Sequence, residues 1–236
     1  MPHTAQAAIW TSVVARLRAA GCVFAEDEAR LLSEAAHDQP ELEAMVGKRV
    51  AGLPMEHIVG WAEFCGLRVA MDQGVFVPRR RTEFLISQAA ALTPAGAVAA
   101  DLCCGSGAMG LALAAAADVS ELHAADIDEV AVRCARRNLE PAGGVVYAGD
   151  LFGALPERLR GRIDTLIANV PYVPSGEIAL LPAEARLHEA RVALDGGGDG
   201  LDVLRRVVAG APQWLAPGGH LLIETSERQA PAAVNL

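Results

Sequence analysis

A chain of 236 residues with 52% hydrophobic and 21% charged side chains is too apolar for a disordered segment, and long enough for one large domain with a small appendage. Its net charge of −9, with Lys48 as the only lysine, excludes the broad basic stripe that phosphate-backbone binding needs, so no strong nucleic-acid binding is expected. No apolar run reaches the roughly 18 residues of a membrane span and no signal-peptide core opens the chain, so a cytoplasmic protein without a membrane partner is expected.

Residues 1 to about 52 read as helices. Ile9, Val13, Val14 and Leu17 recur at helical spacing and Gly21 stops the segment. A second helix begins near Glu26-Asp27-Glu28, acids that suit a helix N-terminus, and a third follows Pro40 through Leu42, Met45, Val46 and Val50. The three form a small bundle, assigned to residues 1–60. Over 61–82 the pattern predicts a hairpin junction, with strands at Phe64–Val69 and Gly74–Val77 joined by a turn at Met71–Gly74. Arg79-Arg80-Arg81 then reads as a solvated junction loop, with contact to a substrate backbone or rRNA as the alternative. From 83 to 236 strands alternate with helices, beginning with a helix that carries Phe84, Leu85 and Ile86. Strands are predicted at Val98–Leu102, Leu122–Asp126, Val145–Ala148, Ile163–Ala168 and His220–Glu224, with helices at Ala108–Ala117 and Glu129–Leu139. That alternation predicts an α/β fold with a Rossmann-like parallel sheet, whose ligands bind at the carboxyl ends of the strands. The five cysteines show no Cys-x-x-Cys spacing and Cys103-Cys104 read as small buried residues, so a reducing setting is expected. The six histidines form no metal-ligand cluster, and no metal is expected.

The unusual residues lie at those strand ends. Gly105-Ser-Gly107-Ala-Met-Gly110 matches the nucleotide-binding turn G-x-G-x-x-G, and Asp126 follows Gly107 by about twenty residues. Alone, this fits a nicotinamide dinucleotide equally well. Asp101 decides against it, because a carboxylate ending the first strand would repel a pyrophosphate over the helix N-terminus. It suits a cofactor bearing an ammonium and a sulfonium, which points to S-adenosylmethionine. Asp126 is placed to accept from two ribose hydroxyls. Asp150, after the third strand, could take the adenine amino group or serve as a helix cap.

Asn169-Val170-Pro171-Tyr172 follows the fourth strand. A planar –NH2 group is a poor nucleophile, and a neutral carboxamide oxygen with a backbone carbonyl can accept its two N–H bonds and orient it. Tyr172 can stack on the planar group and exclude water. The site expected is therefore an N-methyltransferase site.

These residues resemble the protein-(glutamine-N5) methyltransferases of the HemK/PrmC family, class I enzymes that modify the glutamine of the Gly-Gly-Gln motif in peptide-chain release factors. The matching segments are Pro54–Gly60, Phe64–Leu67, Val77–Glu83, Asp101–Gly107, Ala125-Asp126, Gly149–Phe152, Asn169–Tyr172, Ala193–Leu201 and Glu224–Gln229. The resemblance implies a release factor as partner and S-adenosylmethionine as cofactor. It implies that Asn169 and the Val170 carbonyl bind the substrate amide while Asp101, Cys103, Gly105, Gly107, Asp126, Asp150 and Asn169 surround the cofactor. Departures are Val170 in place of the family's first proline, Cys103 in place of a glycine, Arg80-Arg81 in place of Pro-Asp, and Ala190 in place of the Pro after Glu189. The family's sheet ends in an antiparallel hairpin for which the 12 residues after Glu224 leave no room, so an apolar edge on the fifth strand is expected, left by truncation or covered by dimerisation. Asp195–Gly200 reads as a flexible loop near the pocket. Two further functions stay open: methylation of adenine or cytosine in nucleic acid, and cofactor binding with weak catalysis.

Overall fold

The computed structural model describes residues 2–236, with side-chain surroundings described from Ala7 onward. The chain divides into two compact units at Gly60–Trp61. In the first, α1 (Pro2–Ala19), α2 (Ala25–Ala35), α3 (Gln39–Val50) and α4 (Met55–Val59) enclose Val13, Leu17, Ala29, Leu32 and Val46. Asp38 caps α3 by accepting the Glu41 N–H at 2.8 Å, and Arg49 grips Glu28 with two bonds of 2.8 and 2.9 Å. The short α4 was not foreseen; it ends at Gly60, whose φ of 78° only glycine adopts without strain.

The second unit opens with the antiparallel pair β1 (Trp61–Phe64) and β2 (Leu67–Ala70). Their turn is Cys65-Gly66, with φ of 50° and 73°, and not the expected Met71–Gly74. Two consecutive positive φ values match the tight hairpin turn whose twist fits the strands, which is why a two-residue loop wins over the longer one. Gly74–Val77 forms no strand; Gly74 makes an isolated bridge to Glu189 and Val75 is a bend.

After α5 (Glu83–Leu92) come β3 (Ala97–Leu102), α6 (Ala108–Ala116), β4 (Val119–Asp126), α7 (Glu129–Leu139), β5 (Val145–Ala148) and β6 (Ile163–Ala168). Then follow α8 (Ala183–His188), α9 (Asp202–Trp214), β7 (Leu215–Ile223) and α10 (Ala230–Ala233). The five strands β3–β7 form one parallel sheet in the order β5-β4-β3-β6-β7. Central β3 is buried along its whole length because both its faces are covered. Ala99 packs toward α5, α6 and α7, while Val98, Ala100 and Leu102 pack with Leu204, Val207 and Trp214 of α9. Helix α9 carried no expectation, since Gly210 and Pro212 interrupt its apolar spacing; Pro212 falls in the last turn. Strand β7 begins at Leu215, five residues before the expected His220. Its register slips between Ile163↔Leu215 and Thr165↔His220, so Pro217-Gly218 marks a bulge and not a strand boundary. No helix among the described residues is long and apolar enough to cross a membrane.

Leu139 closes α7 and is fully buried; a methyl on Gly107 would stand 2.9 Å from its Cγ, and one on Gly144 would stand 3.0 Å from its Cβ. Leu139→Ala should therefore lower the free energy of unfolding by about 2–5 kcal/mol, read from the urea midpoint at unchanged slope.

Candidate active site

Strand order brings the two motifs together. The chain winds outward from β3 through β4 to β5, then returns to place β6 on the other side of β3. Leu102 and Ala168, the last residues of β3 and β6, are paired neighbours, and Leu102 also pairs with Ala125 of β4. The Gly-rich turn, the Asp126 corner and Asn169 consequently leave the same edge of the sheet, at its switch point. They line one cavity of about 530 Å³, within the range of small-ligand sites.

The turn is held by charge. Asp126 Oδ2 accepts the Gly105 N–H at 2.8 Å and its Oδ1 accepts the Asp128 N–H at 2.9 Å. Burial raises its pKa, while those backbone bonds oppose the rise. Each oxygen keeps a lone pair for a further donor. Gly107 has φ 77°, and a Cβ there would strike Leu139, so glycine is needed for the start of α6 to rest on α7. At Gly105, φ 55°, a Cβ would meet nothing within 4 Å, so the constraint there is conformational. Cys103 adopts φ 55° as well, a left-handed conformation that costs a β-carbon-bearing residue about 1–2 kcal/mol. Burial, reinforced by Asp126, Asp101 and Asp150, raises its thiol pKa far above the ordinary value. Cys104 is shifted the same way, so both remain uncharged thiols at neutral pH.

Asp101 corrects an expectation. It does not line the cavity; its side chain is fully buried beneath the turn, with Oδ2 accepting the Gly110 N–H at 2.9 Å. Gly110 leaves it that room, since a Cβ there would come 3.2 Å from Oδ2. Oδ1 is buried without a hydrogen-bond partner. Burial pushes this carboxyl up to about 7, and the charge of Asp126 adds to the rise. Asp150 does line the cavity, but makes no helix-cap bond; its Oδ2 is paired with Arg206 of α9 at 2.6 Å.

Asn169, Val170, Pro171 and Tyr172 all line the cavity. The Asn169 carboxamide makes no hydrogen bond to the described residues. Two further walls differ from expectation. The Arg79–Arg81 segment is exposed at Arg80 and Arg81, as a solvated junction would be, but it is also tied down: Arg79 Nη2 pairs with Glu189 at 2.6 Å, and Arg81 donates to the Tyr172 hydroxyl at 2.6 Å and to Glu224 at 3.0 Å. Only Arg80 of the three is outside the cavity wall. The loop Asp195–Gly200 is pinned, with the Gly196 N–H on Val173 O at 2.8 Å and the Ser175 N–H on Gly197 O at 2.9 Å. Arg81, Glu189 and Arg206 were not assigned roles from sequence; each acts through an ion pair with a partner distant in the chain, which no local spacing encodes.

A parallel sheet whose switch point carries a glycine-rich turn, an acid ending the neighbouring strand and an Asn-Val-Pro-Tyr turn around one cavity defines the α/β methyltransferase class. Residues 66–203 match the methyltransferase small domain. Over 94% of this chain and 85% of the relative, the sequence is 36% identical to a release factor glutamine methyltransferase of Mycolicibacterium smegmatis. It is 35% identical to the enzyme of that name from Geobacter sulfurreducens, over 81% of this chain and 67% of that one. It is also 37% identical, over 78% of this chain and 65% of the relative, to a 4-amino-L-phenylalanine/4-methylamino-L-phenylalanine methyltransferase of Streptomyces pristinaespiralis. The chain belongs to the release factor glutamine methyltransferase family.

The Asp101 carboxyl has an ordinary value of 3.8 and is held at about 7 in the fold. Between those values the folded state binds the extra proton, so stability falls as pH rises through that window and is level above it. Asp101→Asn removes the titration. Relative to wild type, the variant should gain about 2–4 kcal/mol in urea unfolding between about pH 4.5 and about pH 7.5. A difference independent of pH would refute the placement of that proton.

Proposed function

We propose that this chain transfers a methyl group from S-adenosylmethionine to the side-chain amide nitrogen of a protein glutamine, that of the Gly-Gly-Gln motif of a peptide-chain release factor. The observation that carries the reading is the uncommitted Asn169 carboxamide, beside the Val170 backbone, on the cavity that the Gly-rich turn also walls. The residues fit a cofactor of this kind. The space over Gly105 is open on the cavity side, while Asp101 supports the turn from beneath and stays off the cavity wall. Asp126 retains acceptor capacity for a pair of hydroxyls, and Asp150 lies with Arg206 further along the wall. When bound, S-adenosylmethionine supplies an electrophilic methyl group on a sulfonium sulfur.

The chain's own contribution is orientation. Asn169 Oδ1 accepts one amide N–H of the acceptor and the Val170 carbonyl accepts the other, which fixes the rotation of the –NH2 group and aims its lone pair. Both acceptors are neutral dipoles aimed at the nitrogen as positive charge develops on it, so the stabilisation grows along the reaction. The Tyr172 ring covers the planar amide and keeps water out. No strong base is required, because the nitrogen becomes acidic once alkylated. Pro171 holds Val170 in extended backbone, so its carbonyl remains presented although the family's first proline is replaced. The reading sets the reaction in the cytoplasm, where release factors act and where free thiols such as Cys22, Cys65, Cys103, Cys104 and Cys134 persist.

Radiolabelled methyl transfer to release factor, 4-amino-L-phenylalanine, tRNA and DNA in parallel tests the acceptor. Label should enter release factor alone, and mass spectrometry should place one methyl on the Gly-Gly-Gln peptide. Asn169→Ala should lower kcat by about 10²–10³-fold with cofactor affinity retained. Transfer to the free amino acid or to nucleic acid instead would overturn the choice of substrate.

A further inference from the structure

Two side chains that follow β7, Glu224 and Gln229, reach opposite ends of Tyr172. Gln229 is buried, and its Nε2 donates to Tyr172 O and to Asp199 O, both at 2.9 Å. Its Oε1 accepts from the Ser226 hydroxyl at 2.5 Å, which sets the amide the right way round. Gly200 makes this approach possible, since a Cβ there would stand 2.3 Å from Tyr172 O and 2.4 Å from Gln229 Nε2. At the other end of the residue, the Tyr172 hydroxyl accepts from Arg81 Nη2 at 2.6 Å. Arg81 Nε donates to Glu224 Oε1 at 3.0 Å, and Thr82 Oγ1 donates to Glu224 Oε2 at 2.5 Å. No backbone–backbone hydrogen bond reaches Val170, Pro171 or Tyr172 among the described residues. Side chains are therefore the polar tethers of Val170–Tyr172, and the peptide group that carries Tyr172 O is held on its other side by the Val173 N–H on Leu194 O at 3.0 Å.

We propose that Gln229 and Glu224 are positioning residues of the methyl-transfer reaction: Gln229 locks the backbone of the acceptor turn, and Glu224 locks the Tyr172 ring through Arg81. The inference rests on the reading of Asn169–Tyr172 as the amide clamp. The chemistry requires glutamine at 229. A neutral carboxamide gives one N–H to each of two carbonyls, whereas a carboxylate would face both oxygens with like charge. Releasing Tyr172 O loosens the Tyr172–Val173 peptide group, and the error passes back through Pro171 to the Val170 carbonyl. A displacement of about 1 Å at an orienting group is enough to cost about 10²-fold in rate. The Gly-rich turn is held separately, by Asp126 and Leu139, so cofactor affinity is insulated from this lock.

Gln229→Met, Gln229→Glu and Glu224→Gln in the full chain test the assignment. Calorimetry with S-adenosylmethionine gives the cofactor Kd, and steady-state kinetics with release factor give kcat and KM. Hydrogen exchange gives the protection of the Val173 and Gly196 amides, which bond to Leu194 O and Val173 O. Both Gln229 variants should lose about 10²-fold in kcat at unchanged cofactor Kd, with faster exchange at those two amides. Glu224→Gln removes the charge and keeps one acceptor oxygen, placing an –NH2 donor where the other accepted, so it loses the Arg81 or the Thr82 bond; it should retain the exchange pattern with a smaller loss of kcat. Wild-type kcat in either Gln229 variant would overturn the proposal, as would a parallel loss of cofactor binding and kcat, the signature of a general structural role. Should the wild-type protein methylate no release factor, the substrate reading fails by itself, and the exchange rates still decide whether Gln229 holds the turn.

Discussion

The parallel pairing of β3 with β6 is the constraint on which the site depends. It sets Leu102 beside Ala168, and so makes neighbours of two loops that are far apart in the chain. Everything with chemical character leaves the sheet at that edge: the Gly-rich turn from β3, Asp126 from β4, Asp150 after β5 and Asn169 from β6. The pairing is enforced by burial on both faces. Val98, Ala100 and Leu102 pack with α9, Ala99 packs on the α6 side, and a slip of one residue would exchange those faces.

Around that edge the polar groups divide into three sets. Asp126 is committed twice to backbone N–H groups and thereby shapes the turn it also lines. Asp101 sits deeper, where burial keeps it protonated up to about 7 and one oxygen has no partner within the protein. Asn169 lies at the other extreme, neutral and uncommitted. A carboxylate in that place would attract a proton or a cation, whereas a carboxamide can accept an N–H bond without a change of charge. This contrast sets the carboxyl corner at Asp126 apart from the neutral carboxamide of Asn169 within a single cavity, with Asp101 outside it.

The framework of this site was legible in local pattern. Helix α7 and strands β5 and β6 were read with the bounds they have, because short apolar runs between turn signals leave little freedom. The motif residues Cys103, Gly105, Gly107, Asp126, Asp150 and Asn169–Tyr172 were read as one cavity and do line one, apart from Gly107, which packs on Leu139 behind it. Asp101 was read as facing that cavity and lies beneath the turn instead. Position at a strand end does not say to which side a carboxylate turns, and here the Gly110 N–H captured it. The hairpin turn was misplaced because Cys65-Gly66 has one glycine where two positive φ values are needed, so the stronger-looking Asp-Gln-Gly run drew the assignment.

What the sequence by itself determined was periodicity, the places where glycine and proline interrupt it, and the kinds of groups at each strand end. Those are properties of neighbouring residues, and local sterics and solvation act on them directly. Which groups became partners was decided only in three dimensions. Arg206 chose Asp150, Arg79 chose Glu189, and Gln229 found the carbonyl of Tyr172. Each partnership spans a long stretch of chain, and it exists because a parallel sheet with its crossover helices returns distant segments to one edge, where hydrogen-bond geometry then selects among them.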